Sequence, residues 1–416
     1  MNRPSQTMLD PAADAALLLR RIGFAILALV LPLASLISRR AAVILVPIGV
    51  VLLVIAALIE APRWFGANLK GSLTSRPGLI LLGLVGWAVL SLVWSPFTGS
   101  ASDKAANLFL AIGLGFSGAA ALPERMRASN LNLAALGTGL ASILAIGLLL
   151  TETLGPSGAR ATDAAGSVER GVSVILIMSW PALAWLLSRE RGLTALGLAL
   201  VVGVLAVTRY EDGEAAAMLF GAIAFGVVAA NRRFGARLVA AVTASLIMLA
   251  PLLPFLLLPF LRLVPNAFST VALGLDIWAD IISTRPIQLI TGHGLDTVLR
   301  GRITGVLPLE APTTILFETW YELGLVGAST AALALYFAIR AAGHMPGALA
   351  AGGVAAYVTA FSLAALGFAS FQTWWLMTLT AVALLFTAIA RGQYRTERPV
   401  APLTRRPKAP VVPSVQ

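Results

Sequence analysis

AAVILVPIGVVLLVIAALIE, residues 41–60, carries no charge before its final glutamate. As a helix, a run of this length crosses the ~30 Å hydrocarbon core of a bilayer. Further apolar runs lie over residues 22–38, 78–94, 105–122, 131–150, 171–187, 195–208, 215–230, 238–262, 314–338, 348–368 and 372–390. They are apolar on every side rather than along one stripe, so lipid and not a protein interior is their solvent. The chain is 58% hydrophobic and only 12% charged, with a mean hydropathy of +0.88, which excludes an ordinary soluble domain. Backbone in hydrocarbon must satisfy its own hydrogen bonds, and the alternating pattern of a β-barrel is absent. The expected fold is therefore all-α, a polytopic integral membrane protein of about twelve transmembrane helices. It divides into an N-terminal segment 1–21, nine spans over 22–262, a large polar loop 263–313, three spans over 314–390, and a tail 391–416.

Lys and Arg number 30 against 19 acids, an excess that alone would fit nucleic acid. Its distribution points to a membrane instead. With the N-terminus inside, about 20 of the 30 basic residues fall on cytoplasmic segments, the bias of the positive-inside rule. Both termini are then cytoplasmic and the long loop lies outside. Arg39-Arg40 is the exception, a basic pair on the outer side of the first hairpin. The first run follows Arg20-Arg21 and leads into a second span, so it is not expected to be a cleaved signal. The tail, rich in Arg and Pro, is expected to be disordered and to face anionic headgroups. There is no cysteine, so packing rather than a disulfide must order the outer loop.

That loop holds Asp276, Trp278, Asp280, Arg285, Gly292-His293-Gly294, Asp296, Arg300, Arg302 and Glu310. One long polar connection among short ones is where recognition or chemistry concentrates. His293 sits between glycines that permit a tight turn, either projecting the imidazole into a cleft or bonding it to backbone. Trp278, Trp320 and Tyr321 offer faces for sugar rings, or belong to the aromatic belt of any membrane interface. Arg170 opens a span from the outer side and either snorkels to headgroups or holds a phosphate with its planar fork. Arg209 belongs to a second outer turn, Arg-Tyr-Glu-Asp-Gly-Glu214, and either adds a cation for an anionic substrate or is neutralised by the acids of the same turn. Arg285, Arg300 and Arg302 add positive charge on the same side, suited to an anionic lipid-linked ligand. His344, in a cytoplasmic turn, is expected to be structural. No metal-ligand spacing, phosphate-binding glycine loop or nucleophile elbow is present, so no metal or cofactor is expected.

The order of parts resembles the O-antigen ligase/polymerase superfamily of bacterial envelope proteins. The resemblance rests on Trp94-Ser95-Pro96 at an early outer loop, Arg170-Gly171 at a middle span, and the late loop. Within that loop it rests on Ile277-Trp278, Arg285-Pro286, Gly292-His293-Gly294 and Trp320-Tyr321-Glu322-Leu323-Gly324-Leu325-Val326-Gly327. The resemblance implies a protein of the bacterial inner membrane with a periplasmic loop. It further implies transfer of glycan from a polyprenyl-pyrophosphate carrier to another glycan, a lipid-A core or a protein, without metal. In such enzymes a histidine activates the acceptor hydroxyl and arginines stabilise the pyrophosphate as it leaves. Arg170 matches the arginine of the middle span. This chain departs from the pattern at Pro312-Thr313-Thr314, where the family has Pro-His-Asn. Thr313 thus stands where the family's base would be, and Glu318 replaces a glutamine.

Three readings follow. In the first the chain is an active ligase or polymerase, with Glu310 or His293 as replacement base. In the second it is a catalytically degenerate relative that binds lipid-linked glycan and assists polysaccharide assembly. In the third it is an unrelated polytopic transporter, which the apolar mid-span positions disfavour.

Overall fold

The computed structural model describes residues 11–154, 159–209, 213–263, 269–367 and 372–394, with side chains for all of these but 152–165, 269, 393 and 394. Residues 1–10 and the tail beyond 394 lie outside the described residues. Helices α1 (Pro11–Ser35), α2 (Ala41–Glu60), α4 (Arg76–Val93), α5 (Thr98–Ala121) and α6 (Ala128–Leu154) make up the first part, with the short polar α3 (Pro62–Leu73) between α2 and α4. There follow α7 (Ala159–Ser188), α8 (Gly192–Val207), α9 (Glu214–Ala230), α10 (Arg232–Met248) and α11 (Leu253–Leu261). Then come α12 (Ser269–Thr284), α13 (Gln288–Thr291) and α14 (Thr297–Thr304). The chain closes with α15 (Ile315–Ala342), α16 (Ala348–Ala365) and α17 (Thr373–Arg391).

Among the described residues nine helices are long and apolar enough to cross a membrane, or ten if α10 and α11 form one broken span. The helices α8 and α9 are apolar but shorter. Every run read from the sequence coincides with a helix. Two irregularities fall at prolines. Residues Ile26–Val30 of α1 loosen to a π-turn just before Pro32, whose ring cannot donate to, and crowds, the preceding turn. The α10–α11 pair bends by 58° across Ala250–Leu252, which contains Pro251.

The chain alternates between two faces. One face gathers the start of α1, the end of α2, the α5–α6 turn and the end of α17. There Arg20 pairs with Glu60, and Arg391 donates to the Leu122 carbonyl. On the same face a parallel two-residue pair joins β1 (Met126–Arg127) to β2 (Gln393–Tyr394), an element with no signal in the sequence. The other face carries residues 269–313. They form a packed helical cap, α12 to α14, where the sequence reading expected a loop. Its apolar centre holds Trp278, Val298, Leu307, Phe317 and Trp320, which supplies the order that no disulfide provides.

Helix α7 is the axis of the bundle. Its apolar window is 89% buried in protein, against 28–44% for the windows of α1, α2, α4, α5, α6 and α15. It packs against α1, α6, α8, α16 and α17. Small residues let neighbours close in, as van der Waals contact must do where lipid provides no hydrophobic drive. A Cβ on Gly221 of α9 would lie 2.0 Å from the Thr359 hydroxyl of α16, which itself accepts from the Trp180 indole at 2.8 Å. The peripheral helices instead turn large apolar side chains outward, among them Leu200, Phe220, Leu256 and Phe260, each at least half exposed. In water such a surface would aggregate; in lipid it is the solvated face.

Because the chain has no cysteine, its two faces can be separated by single introduced thiols. Ile37→Cys and Ile287→Cys, at exposed cap-face sites, will label with an impermeant maleimide from the same side of a sealed vesicle. Leu193→Cys, at the 87% exposed start of α8, will label only from the other. Labelling of all three from one side would refute the alternation.

Candidate functional site

The cap is joined to the bundle at one break. Gly324, inside α15, has φ +63° and ψ −161°, an unhelical conformation open to glycine. The break removes the helical partners of the preceding carbonyls, and a carbonyl left bare at this depth costs several kcal/mol by order of magnitude. Each is filled from elsewhere. The Tyr321 carbonyl accepts from the His293 backbone N–H at 2.8 Å and lies 3.0 Å from its Nδ1. The Glu322 carbonyl accepts from Gly294 N–H at 3.0 Å. The Leu323 carbonyl accepts from the Trp87 indole of α4 at 2.8 Å. Only glycine fits the turn that delivers these donors: a Cβ on Gly292 would lie 2.2 Å from the Glu322 carbonyl oxygen, and one on Gly294 2.6 Å from Ser95 Cα. Ser91 and Ser95 complete the seam, accepting from and donating to Leu295 backbone groups.

This seam fixes the state of His293. A carbonyl only accepts, so Nδ1 bears the proton and Nε2 carries the lone pair. The ring stacks on Tyr321 at 3.9 Å and 8°. Its Nε2 is buried without a hydrogen-bond partner among the described residues, as is Gln288 Oε1. Both line a narrow cleft with Trp278, Ile281, Ile282, Arg285, Leu289, Trp320 and Tyr321. Its volume of about 10 Å³ is room for roughly one water. Burial pushes the imidazole below its ordinary 6.5; the Tyr321 carbonyl pulls the other way, and Arg285 lowers it further. His293 is thus a neutral imidazole with a free acceptor nitrogen near pH 7, beside an exposed guanidinium.

Behind the cleft lies a buried charge cluster. Lys104 of α5 donates to both Glu322 oxygens at 3.0 and 2.8 Å, and Glu322 is fully buried. Val298 N–H donates to the same carboxylate at 3.3 Å. Asp296, at φ +63°, lies 3.9 Å from Lys104 and 3.4 Å from Arg300. The buried Glu318 adds to the negative field around the lysine. These bonds tie α5, α14 and α15 together. Neither Lys104 nor Glu322 is among the site residues expected from the sequence. Each nonetheless carries a signal there: a lysine at the mouth of one apolar run and a glutamate inside another, each costly unless paired.

Of the residues expected to form the site, the structure brings together Trp278, Arg285, His293 and Trp320. The two tryptophans are not open platforms for sugar. Trp278 is 4% and Trp320 7% exposed; Trp278 packs edge-on against Phe317, and the Trp320 indole donates to Ile247 where α10 breaks. Glu310 is exposed, outside any dry pocket that would make it a base. Thr313 is half-buried beside the Gly367 turn, away from the cleft, and Thr314 caps α15 through Phe317 N–H. Arg302 bonds the Leu309 carbonyl at 2.8 Å, and Arg300 pairs with Asp296; both brace the cap. Arg209, expected as a substrate contact, pairs with the buried Glu214 at 3.5 Å; Tyr210, Glu211 and Asp212 lie outside the described residues. Arg170 sits over the Trp374 ring at 5.5 Å near Arg39, a second cationic spot that shares none of the cleft's residues.

No group of three or more potential metal ligands occurs among the described residues. Comparison with protein-family models, curated proteins and solved structures finds no match for this chain.

Two predictions follow from these contacts. Lys104→Met strands the Glu322 carboxylate and lowers stability by roughly 3–5 kcal/mol, read as a fall in melting temperature in detergent; adding Glu322→Gln recovers most of it. For His293 the folded state binds fewer protons than the unfolded between its depressed value and 6.5. Stability from this site is therefore complete above pH 6.5 and is lost as pH falls below it. His293→Gln will remove that component from a plot of melting temperature against pH; an unchanged plot would refute the assignment.

Proposed function

We propose that the chain crosses the bacterial inner membrane about twelve times, with both termini cytoplasmic and the cap periplasmic. The face opposite the cap carries Arg20, Arg21, Arg63, Lys70, Arg125, Arg127, Arg189, Arg191, Arg232 and Arg233 on its turns and helix ends, the bias expected of the cytoplasmic side. We propose further that it transfers or polymerises glycan from a polyprenyl-pyrophosphate carrier, with His293 rather than Glu310 as base.

The observation that carries this reading is the single free nitrogen of His293, fixed in tautomer by Tyr321 and facing a cleft with a cation at its mouth. In the reaction, His293 Nε2 takes the proton of the acceptor hydroxyl as that oxygen attacks the anomeric carbon. The bond from that carbon to the pyrophosphate oxygen breaks, and the carrier leaves with the electron pair. Arg285 faces the charge that develops on it. The Tyr321 carbonyl, held by the Nδ1–H, stabilises the imidazolium until the proton departs. At about 10 Å³ the cleft holds no more than about one water, so this reaction requires α12 and α13 to separate from α15 for substrate to enter. The acceptor is a glycan, a lipid-A core or a protein.

The small volume of the cleft favours a second reading, a catalytically degenerate relative that holds lipid-linked glycan at the cap without transferring it. Purified protein in proteoliposomes with a polyprenyl-pyrophosphate-linked oligosaccharide separates the two. Transfer should fall about 100-fold or more in His293→Ala, the scale of a lost general base, and comparably in Arg285→Ala, while Glu310→Gln stays near wild type. Full transfer by His293→Ala would overturn the base. Retention of the lipid-linked glycan with no transfer by the wild type would establish the second reading.

A further inference from the structure

The face opposite the cap carries a cleft that the proposed reaction does not use. Asp14, Leu17, Leu18, Arg20 and Arg21 of α1 form one wall, and Pro123, Arg125, Met126, Arg127 and Asn130 form the other. Its volume of about 240 Å³ is many times the ~10–15 Å³ that one water needs. Four arginines and one aspartate line it, and with Glu60 paired to Arg20 the site retains two positive charges.

Three features distinguish it from a merely basic surface. Its walls are fixed: β1 pairs with β2, and Met126 N–H donates to Gly392 at 3.1 Å, so Arg125 and Arg127 stand on an anchored segment. Arg20 is held by Glu60, its side chain only 11% exposed, yet its Nε is buried without a hydrogen-bond partner among the described residues. Beside the charges, Leu17 is 40% and Leu18 58% exposed on the same helix, which continues into the membrane. A guanidinium fork matches phosphate oxygens in pairs, and an apolar strip running from the charges into the bilayer matches an acyl chain.

We propose that this cleft binds a phosphate group, carried by the headgroup of an anionic phospholipid whose chains lie along Leu17 and Leu18. Occupancy ties α1 to the α5–α6 turn and, through the strand pair, to the end of α17. The site is independent of the cap and of the reaction assigned to it.

Native mass spectrometry of the full-length protein tests this. Phosphatidylglycerol, phosphatidylcholine and inorganic phosphate are titrated against the wild type, Arg125→Ala/Arg127→Ala and Arg125→Lys/Arg127→Lys. Phosphatidylglycerol should bind the wild type well above phosphatidylcholine, with affinity about tenfold lower in the double alanine variant and intermediate in the double lysine one. Displacement of phosphatidylglycerol by millimolar inorganic phosphate would make a soluble phosphate the occupant; resistance to it confirms the lipid. Should the double alanine variant fail to fold, Arg21→Ala decides alone, with a several-fold loss expected. Equal phosphatidylglycerol binding by the wild type and the variants overturns the site.

Discussion

Backbone carbonyls that have lost their helical partners must find donors within the protein when water is absent, and that constraint organises the cap. Gly324 interrupts α15 after three residues whose carbonyls face the cap and α4. Once Tyr321, Glu322 and Leu323 are stripped of their i+4 partners, the chain needs donors at three defined points. The His293–Gly294 turn supplies them to two and Trp87 to the third. The same bonds position the imidazole, select its tautomer and leave its other nitrogen toward the cleft. Structural repair and chemical readiness are here one set of contacts.

The buried charges follow the same logic. Glu322 carries no exposed surface, so its carboxylate survives only because Lys104 and a backbone N–H surround it. Such a cluster is weak evidence for stability, since an apolar replacement often does as well. It does impose register: α5, α14 and α15 can meet in one arrangement that pairs the lysine, and others leave a charge stranded. The Trp320 indole acts similarly on the broken α10–α11 pair by filling the Ile247 carbonyl.

Much of this was legible in the sequence. The apolar runs located the apolar helices, of which nine, or ten with the α10–α11 pair as one span, are long enough to cross a membrane among the described residues, because lipid solvation writes itself into every residue of a span and no tertiary information is needed to read it. The polar segment 263–313 announced itself by composition, but its helices did not. Their stability comes from Trp278, Val298 and Phe317 meeting across the cap, a long-range fact that local pattern does not carry. His293 and its glycines were visible as a constrained turn, whereas what they were constrained by, the carbonyls of a helix broken at Gly324, was not. Glu310, Arg300 and Arg302 looked equivalent to Arg285 as loop charges. Only the fold separates the exposed from the bracing and the cleft-lining. The tryptophans misled for a related reason: an indole at an interface and an indole sealed in a core have the same local sequence.

The two-residue pairing of β1 with β2 has a bearing on how the molecule is made. Met126–Arg127 are synthesised long before Gln393–Tyr394, and Leu122 waits equally long for Arg391. On the other face, Lys104 meets Glu322 only after some two hundred residues more have emerged. The early helices must therefore lodge in the bilayer with their latches open. Helix α17 thus closes a bundle whose first half was inserted well before.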